Sequence, residues 1–158
     1  MTFERLLWLF PIALTLHNAE EAIWMPSWQV RHAGQLPIHP PGAVQIRVLL
    51  VLLTVAAYAV TWLSVRRGPG SVWVYLTFGY IVAVLVNVLV PHVPAAIAFR
   101  GYAPGVVTAV LINLPLMSVL IVGAVRERWV SGWKAVGFGV GVPLAGGALI
   151  ALWLMQTS

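Results

Sequence analysis

Apolar residues run along this chain in five long blocks, each ended by a short polar, Pro-rich or Gly-rich stretch. The blocks cover residues 6–24, 43–64, 72–98, 104–125 and 133–155. Each has the length a helix needs to cross a hydrocarbon core of about 30 Å at a rise of about 1.5 Å per residue. Between them lie a Pro-rich connection over residues 25–42, an Arg66-Arg67-Gly68-Pro69-Gly70 turn, and short links at Arg100-Gly101 and at residues 126–132. No connection is long enough to separate domains. The pattern predicts an all-α fold, a polytopic membrane helical bundle of about five transmembrane helices forming one integral membrane domain over residues 1–158.

Composition supports this and removes other classes. Hydrophobic residues make up 61% of the chain and charged residues 8%, against about a quarter charged in an ordinary soluble domain. The acidic residues are Glu4, Glu20, Glu21 and Glu127, set against nine Lys or Arg, for a formal net charge of +5. The basic residues stand between apolar blocks, where they select orientation and meet anionic lipid headgroups, so the excess calls for no nucleic acid. Arg5, Arg66, Arg67, Arg126, Arg128 and Lys134 fall on one side, and Arg31, Arg47 and Arg100 on the other. The positive-inside rule therefore predicts a plasma (cytoplasmic) membrane protein with its amino terminus in the cytoplasm and its carboxyl terminus outside. Arg5 before an apolar run imitates a secretory leader, but the run leads into His17-Asn18-Ala19-Glu20-Glu21 rather than a small-residue cleavage site, and is read as a retained span. Cysteine is absent, so any metal must use His, carboxylate or amide ligands.

The first block holds the chemistry. A helix ending at Leu16 would be too short to cross the hydrocarbon region, so it must continue through His17, Glu20 and Glu21. These stand at i, i+3 and i+4 and project from one face, which is expected to point into the bundle. Ionisable groups at membrane depth cost several kcal/mol, about 2.5 or more each, unless paired, protonated or bound to a metal, and are retained for function. Without a cation, the Glu pair is expected to hold a proton. The alternating course of the helices puts Asn87 and His92 of the third block, and Thr108 and Asn113 of the fourth, in the same outer layer. Pro91 cannot donate to the Asn87 carbonyl, which predicts a kink beside the cluster and places His92 on a distorted turn. His32 and His39, in the Pro-rich connection, read most simply as solvated surface residues.

The sequence resembles the HXXEE domain family, small bacterial membrane proteins named for the pattern that stands here as His17-Asn18-Ala19-Glu20-Glu21. The likeness extends to Asn87, Pro91-His92 and the stretch Tyr102-Ala103-Pro104-Gly105-Val106-Val107-Thr108-Ala109. It implies polytopic membrane character and a shared polar centre, and carries no activity with it.

Two kinds of function fit such a centre. In the first, an intramembrane enzyme acts on a lipophilic substrate. Its metal ligands would be drawn from His17, Glu20, Glu21 and His92, with His17, Glu20 and Glu21 as the catalytic groups and Asn87, Thr108 and Asn113 lining the bound group. Two imidazoles and a carboxylate suit Zn²⁺ or Fe²⁺ and leave a second Glu as general base; a metal-free variant uses the same groups as acid and base. In the second, a small transporter or binding protein exchanges a proton or cation on the carboxylate pair. The last block carries Gly137, Gly141 and Ala145 at helical spacing, a face that suits packing inside the bundle or a homo-oligomer contact.

Overall fold

The computed structural model describes residues 2–36 and 41–157 and is helical almost throughout. A short α1 (Phe3–Leu7) turns at Trp8 into α2 (Leu9–His32). Then come α3 (Ala43–Arg67) and α4 (Val72–Asn87), which passes through a π turn at Val88–His92 into α5 (Val93–Ala98). A loop leads to the single turn α6 (Val106–Thr108), a second π turn (Ala109–Asn113), α7 (Leu114–Arg126) and α8 (Gly132–Thr157). Four helical stretches, Ala43–Arg67, Val72–Ala98, Val106–Arg126 and Gly132–Trp153, are long and apolar enough to cross a membrane. Their outward faces are apolar as well: Val44, Ile97 and Leu111 are 73%, 71% and 70% exposed, an arrangement stable in lipid and not in water. α2, which carries the ionisable residues, packs against α3 and α7 and completes the bundle.

α4 is the central helix, packed by α3, α7 and α8. Interhelical hydrogen bonds add to the fit: Tyr80 donates to the Leu53 carbonyl at 2.8 Å, and Ser64 and Thr77 pair at 2.9 Å. Asn18 donates to the Leu50 carbonyl and to Thr54 Oγ1 at 3.0 and 2.7 Å, tying α2 to α3. Near the amino terminus, Phe3 lies over Gly123 and against the Trp129 ring.

Two expectations are corrected, and one pair of alternatives is narrowed. The first helix does not end at Trp24 but runs to His32. Pro26 lies inside it and cannot donate to the Ala22 carbonyl. That carbonyl accepts instead from Arg47 Nε at 3.4 Å, so the proline is tolerated. His32 is accordingly half-buried rather than solvated: its Nδ1 donates to the Trp28 carbonyl at 2.8 Å and its ring packs against Trp28 and Phe99. His39 lies outside the described residues. Among the described residues, nothing packs on the small-residue face of α8. α8 meets α4 through Gly79 and Gly139 instead, whereas a methyl group at Gly137 or Gly141 would have nothing within 4 Å, and Ala145 is exposed. That face is left to lipid or to a second copy.

A Cβ at Gly79 would stand 2.5 Å from the Phe138 carbonyl oxygen and 2.7 Å from Val142. Gly79→Ala is therefore expected to destabilise the bundle by about 1–3 kcal/mol through overpacking, while Gly141→Ala changes it by less than about 0.5 kcal/mol. Thermal unfolding of the two variants in detergent checks the contrast.

Candidate functional site

The expected kink sits beside the site. Pro91 interrupts the third span, Val90 leaves helical geometry (φ −147°, ψ 113°), and the π turn re-aims His92 inward, where it is 3% exposed. α2 brings His17 to the same place, 2% exposed. The two imidazoles meet edge to face with centroids 4.8 Å apart.

The segment between α5 and the second π turn closes over them. Gly105 adopts φ +85°, and a Cβ there would fall 2.5 Å from His92 Cε1 and 2.9 Å from His17 Cε1, so the backbone rests directly on both rings. His92 Nδ1 lies 3.0 Å from the Pro104 carbonyl oxygen. A carbonyl can only accept, so Nδ1 carries the proton, and in the neutral ring Nε2 presents its lone pair. That lone pair accepts from Asn87 Nδ2 at 2.9 Å and faces Glu21 Oε1 at 3.5 Å.

Glu20 turns to the same segment. Oε1 accepts from the Tyr102 hydroxyl at 2.8 Å and the Gly105 amide at 3.2 Å; Oε2 accepts from the Thr108 amide at 2.9 Å and the Thr108 hydroxyl at 2.6 Å. Four donors fill the acceptor sites of an ionised carboxylate. The Thr108 hydroxyl proton is thereby committed to Glu20, so His17, whose Nδ1 is 2.9 Å from Thr108 Oγ1, is the donor in that pair. His17 Nε2 then holds a lone pair, and it is buried without a hydrogen-bond partner among the described residues. Tyr102 lies between the spans; desolvation, followed by its hydrogen bond to Glu20, pushes its phenol above the ordinary range, so it stays a donor. The Trp28 indole fixes the loop from above, donating to the Tyr102 carbonyl at 3.0 Å.

Of the residues expected to form the centre, the structure gathers His17, Glu21 and His92: one ligand-type atom from each lies within 4.8 Å of the other two. Asn87 and Thr108 touch this group through the two histidines. Glu20 is adjacent but faces away, saturated by the loop. Asn113 is fully buried on the second π turn, and its amide has no hydrogen-bond partner among the described residues, so it does not join the cluster by any bond. Tyr102, the Pro104 carbonyl and Gly105 are not among the residues that side-chain chemistry points to. Their signal is the Tyr-x-Pro-Gly turn, and two of the three contributions come from main chain.

The donor set fits a divalent ion. Two ligands at about 2.0–2.1 Å on a tetrahedral ion stand roughly 3.4 Å apart, close to the 3.5 Å between Glu21 and His92. The widest separation, 4.8 Å at most, requires closure by about 1.4 Å to reach that spacing. Both imidazoles have their Nδ1 protons engaged, the usual outer arrangement of a metal-bound histidine; His17 Nε2 has no partner among the described residues, whereas His92 Nε2 is occupied by the Asn87 amide.

The family model described as a protein of unknown function with HXXEE motif matches residues 8–120. A relative in Bacillus subtilis (strain 168), the uncharacterized protein YrkK, is 31% identical over 115 residues, which are 71% of this chain and 70% of that one. No solved structure matches the chain. The matched region takes in α2, the kinked third span and the 102–108 segment, all the parts that build the centre, and stops before α8. With its His17-Asn18-Ala19-Glu20-Glu21 motif at the heart of that region, this chain belongs to the HXXEE family.

Proposed function

We propose that His17, Glu21 and His92 hold one divalent transition metal ion, Zn²⁺ or Fe²⁺, and that the protein is an intramembrane enzyme acting on a lipophilic substrate. The observation that carries this reading is His17 Nε2, a buried lone pair without a partner among the described residues, beside a carboxylate and a second imidazole whose tautomer is fixed. Three protein ligands leave a position open on a four-coordinate ion, as in catalytic rather than structural zinc sites. The ion would supply Lewis acidity toward a bound water or a polar substrate group. Ligation takes the His92 Nε2 lone pair from Asn87, so the Asn87 amide is the group that must give way. Glu20, expected as a general base or a ligand, is engaged by four donors and is not assigned either role.

Elemental analysis of detergent-purified protein tests the reading. The wild-type chain is expected to retain about one equivalent of metal, and His17→Ala or Glu21→Gln to lose it. Absence of metal from wild type, after supplementation as well, overturns it in favour of acid–base chemistry. Uptake of the ion across proteoliposomes would assign the centre to transport instead.

For orientation we propose a cytoplasmic amino terminus, supported by the Arg66-Arg67 turn on that side. In the Cys-free chain, a thiol at exposed Pro69 should react from the cytoplasm only, and one at exposed Gln35 from outside only. The reverse pattern inverts the topology.

A further inference from the structure

The two glutamates of the motif are neighbours in sequence, yet their side chains leave the helix about 100° apart. Glu21, one full turn after His17, comes out beside His92. Glu20 comes out against the loop, and each of its four bonds ends on Tyr102, Gly105 or Thr108. That same segment supplies the contacts on both Nδ1 atoms and on both rings: the Pro104 carbonyl on His92 Nδ1, the Thr108 hydroxyl on His17 Nδ1, and the Gly105 backbone against both rings.

We propose that Glu20 is a positioning residue, a clasp that holds the 102–108 segment shut over the two histidines, and that the passage from the aqueous side to the centre opens where this clasp releases. Ala103, in the middle of the segment, is 2% exposed, while Tyr102 beside it is 42% exposed and presents the outermost of the four bonds. Apart from Glu20, the segment is hydrogen-bonded to α2 through the Trp28 indole and through the Thr108–His17 pair, which depends on the segment staying in place. Glu20→Gln keeps an acceptor but aims an amide at donors, so it breaks the clasp without changing the size of the residue. The two carboxylates of the motif thus have separate tasks, Glu21 toward the centre and Glu20 toward the segment that covers it.

The chain has no Cys, so Ala103→Cys provides a single thiol for a membrane-impermeant maleimide. The thiol is expected to be protected in the otherwise wild-type background, and to react roughly tenfold faster or more with Glu20→Gln, which takes the charge from all four bonds, or with Thr108→Val, which removes the hydroxyl bond to Glu20 and the pair with His17. Thr108→Ser should restore protection, and Tyr102→Phe, the mildest change, should raise reactivity part of the way. In a second arm, which rests on the proposed metal centre, Glu20→Gln and Thr108→Val are expected to bind Zn²⁺ about 10–100-fold more weakly with unchanged stoichiometry. Thr108→Ser should recover the affinity, and Glu21→Gln should bind none. If wild type binds no zinc while Glu20→Gln still exposes position 103, the metal centre fails and the clasp stands. Unchanged protection in both Glu20→Gln and Tyr102→Phe overturns the clasp. So does a Glu20→Gln chain that stays protected but loses zinc as completely as Glu21→Gln, because Glu20 is then a ligand.

Discussion

Adding Zn²⁺ or Fe²⁺ to the detergent-solubilised wild-type protein is expected to raise its thermal stability, and to do nothing for His17→Ala, Glu21→Gln or His92→Ala. An ion that binds only the folded chain stabilises it by RT ln(1 + [L]/Kd), about 2.7 kcal/mol at a hundredfold excess over Kd. For a chain of this length that corresponds to roughly 5–10 °C. The sign of the metal-free comparison is equally informative. Without an ion, the centre holds a buried carboxylate beside an imidazole lone pair at 3.5 Å, longer than a sound hydrogen bond. Glu21→Gln removes a carboxyl group that, without an ion, must either hold a proton or carry a poorly compensated charge, so the apo variant is expected to be at least as stable as apo wild type. A wild-type chain that gains nothing from metal, together with a Glu21→Gln variant more stable than it under all conditions, is the behaviour of a proton-sharing acid site and contradicts the metal centre.

Gly105→Ala is expected to collapse the site. His92 cannot retreat from the added methyl, because its Nδ1 is held by the Pro104 carbonyl and its Nε2 by Asn87. His17 is held in turn by Thr108. A left-handed backbone at a non-glycine residue costs about 1–2 kcal/mol, and overpacking a fixed pair of rings adds about 1–3 kcal/mol. The sum, about 2–5 kcal/mol, comes with splayed imidazoles, so zinc stoichiometry should fall together with stability. Calorimetric or fluorescence unfolding and zinc titration of the same samples check both effects. Wild-type stability and affinity in Gly105→Ala would mean that the segment does not rest on the histidines.

Four spans of the membrane bundle are legible in the sequence because length and hydropathy alone decide them; the third block even has its ends at Val72 and Ala98 as the apolar run places them, with the distortion at Pro91 following from the missing amide. The first helix reads short because residues 25–42 read as a Pro-rich connection, whereas Pro26 lies inside the helix. Its tolerance depends on Arg47, a residue in another helix whose approach to the Ala22 carbonyl is a tertiary fact. The grouping of His17 with Glu21 follows from helical spacing, and depth in the membrane brings His92 to the same layer. What spacing cannot resolve is the split between Glu20 and Glu21. Residues at i+3 and i+4 share a broad face, and which of them meets a neighbouring helix and which a loop depends on the neighbours. Main-chain groups are invisible for a similar reason: the Pro104 carbonyl and the Gly105 amide carry no side-chain signature, and only the Tyr102-to-Gly105 turn hints that backbone comes close. Asn18 looks like a spacer within the motif, yet it is buried and ties α2 to α3, which sets the rotation of the helix that aims His17 and Glu21 inward.

X-ray absorption at the zinc edge, on wild-type protein loaded with one equivalent of Zn²⁺, tests the metal centre most directly. The predicted result is a shell of about four nitrogen and oxygen atoms at roughly 2.0–2.1 Å, with outer-shell scattering from two imidazoles that drops to one in His17→Ala and in His92→Ala and stays at two in Glu20→Gln. An all-oxygen shell, or a spectrum indifferent to both histidine substitutions, would contradict it.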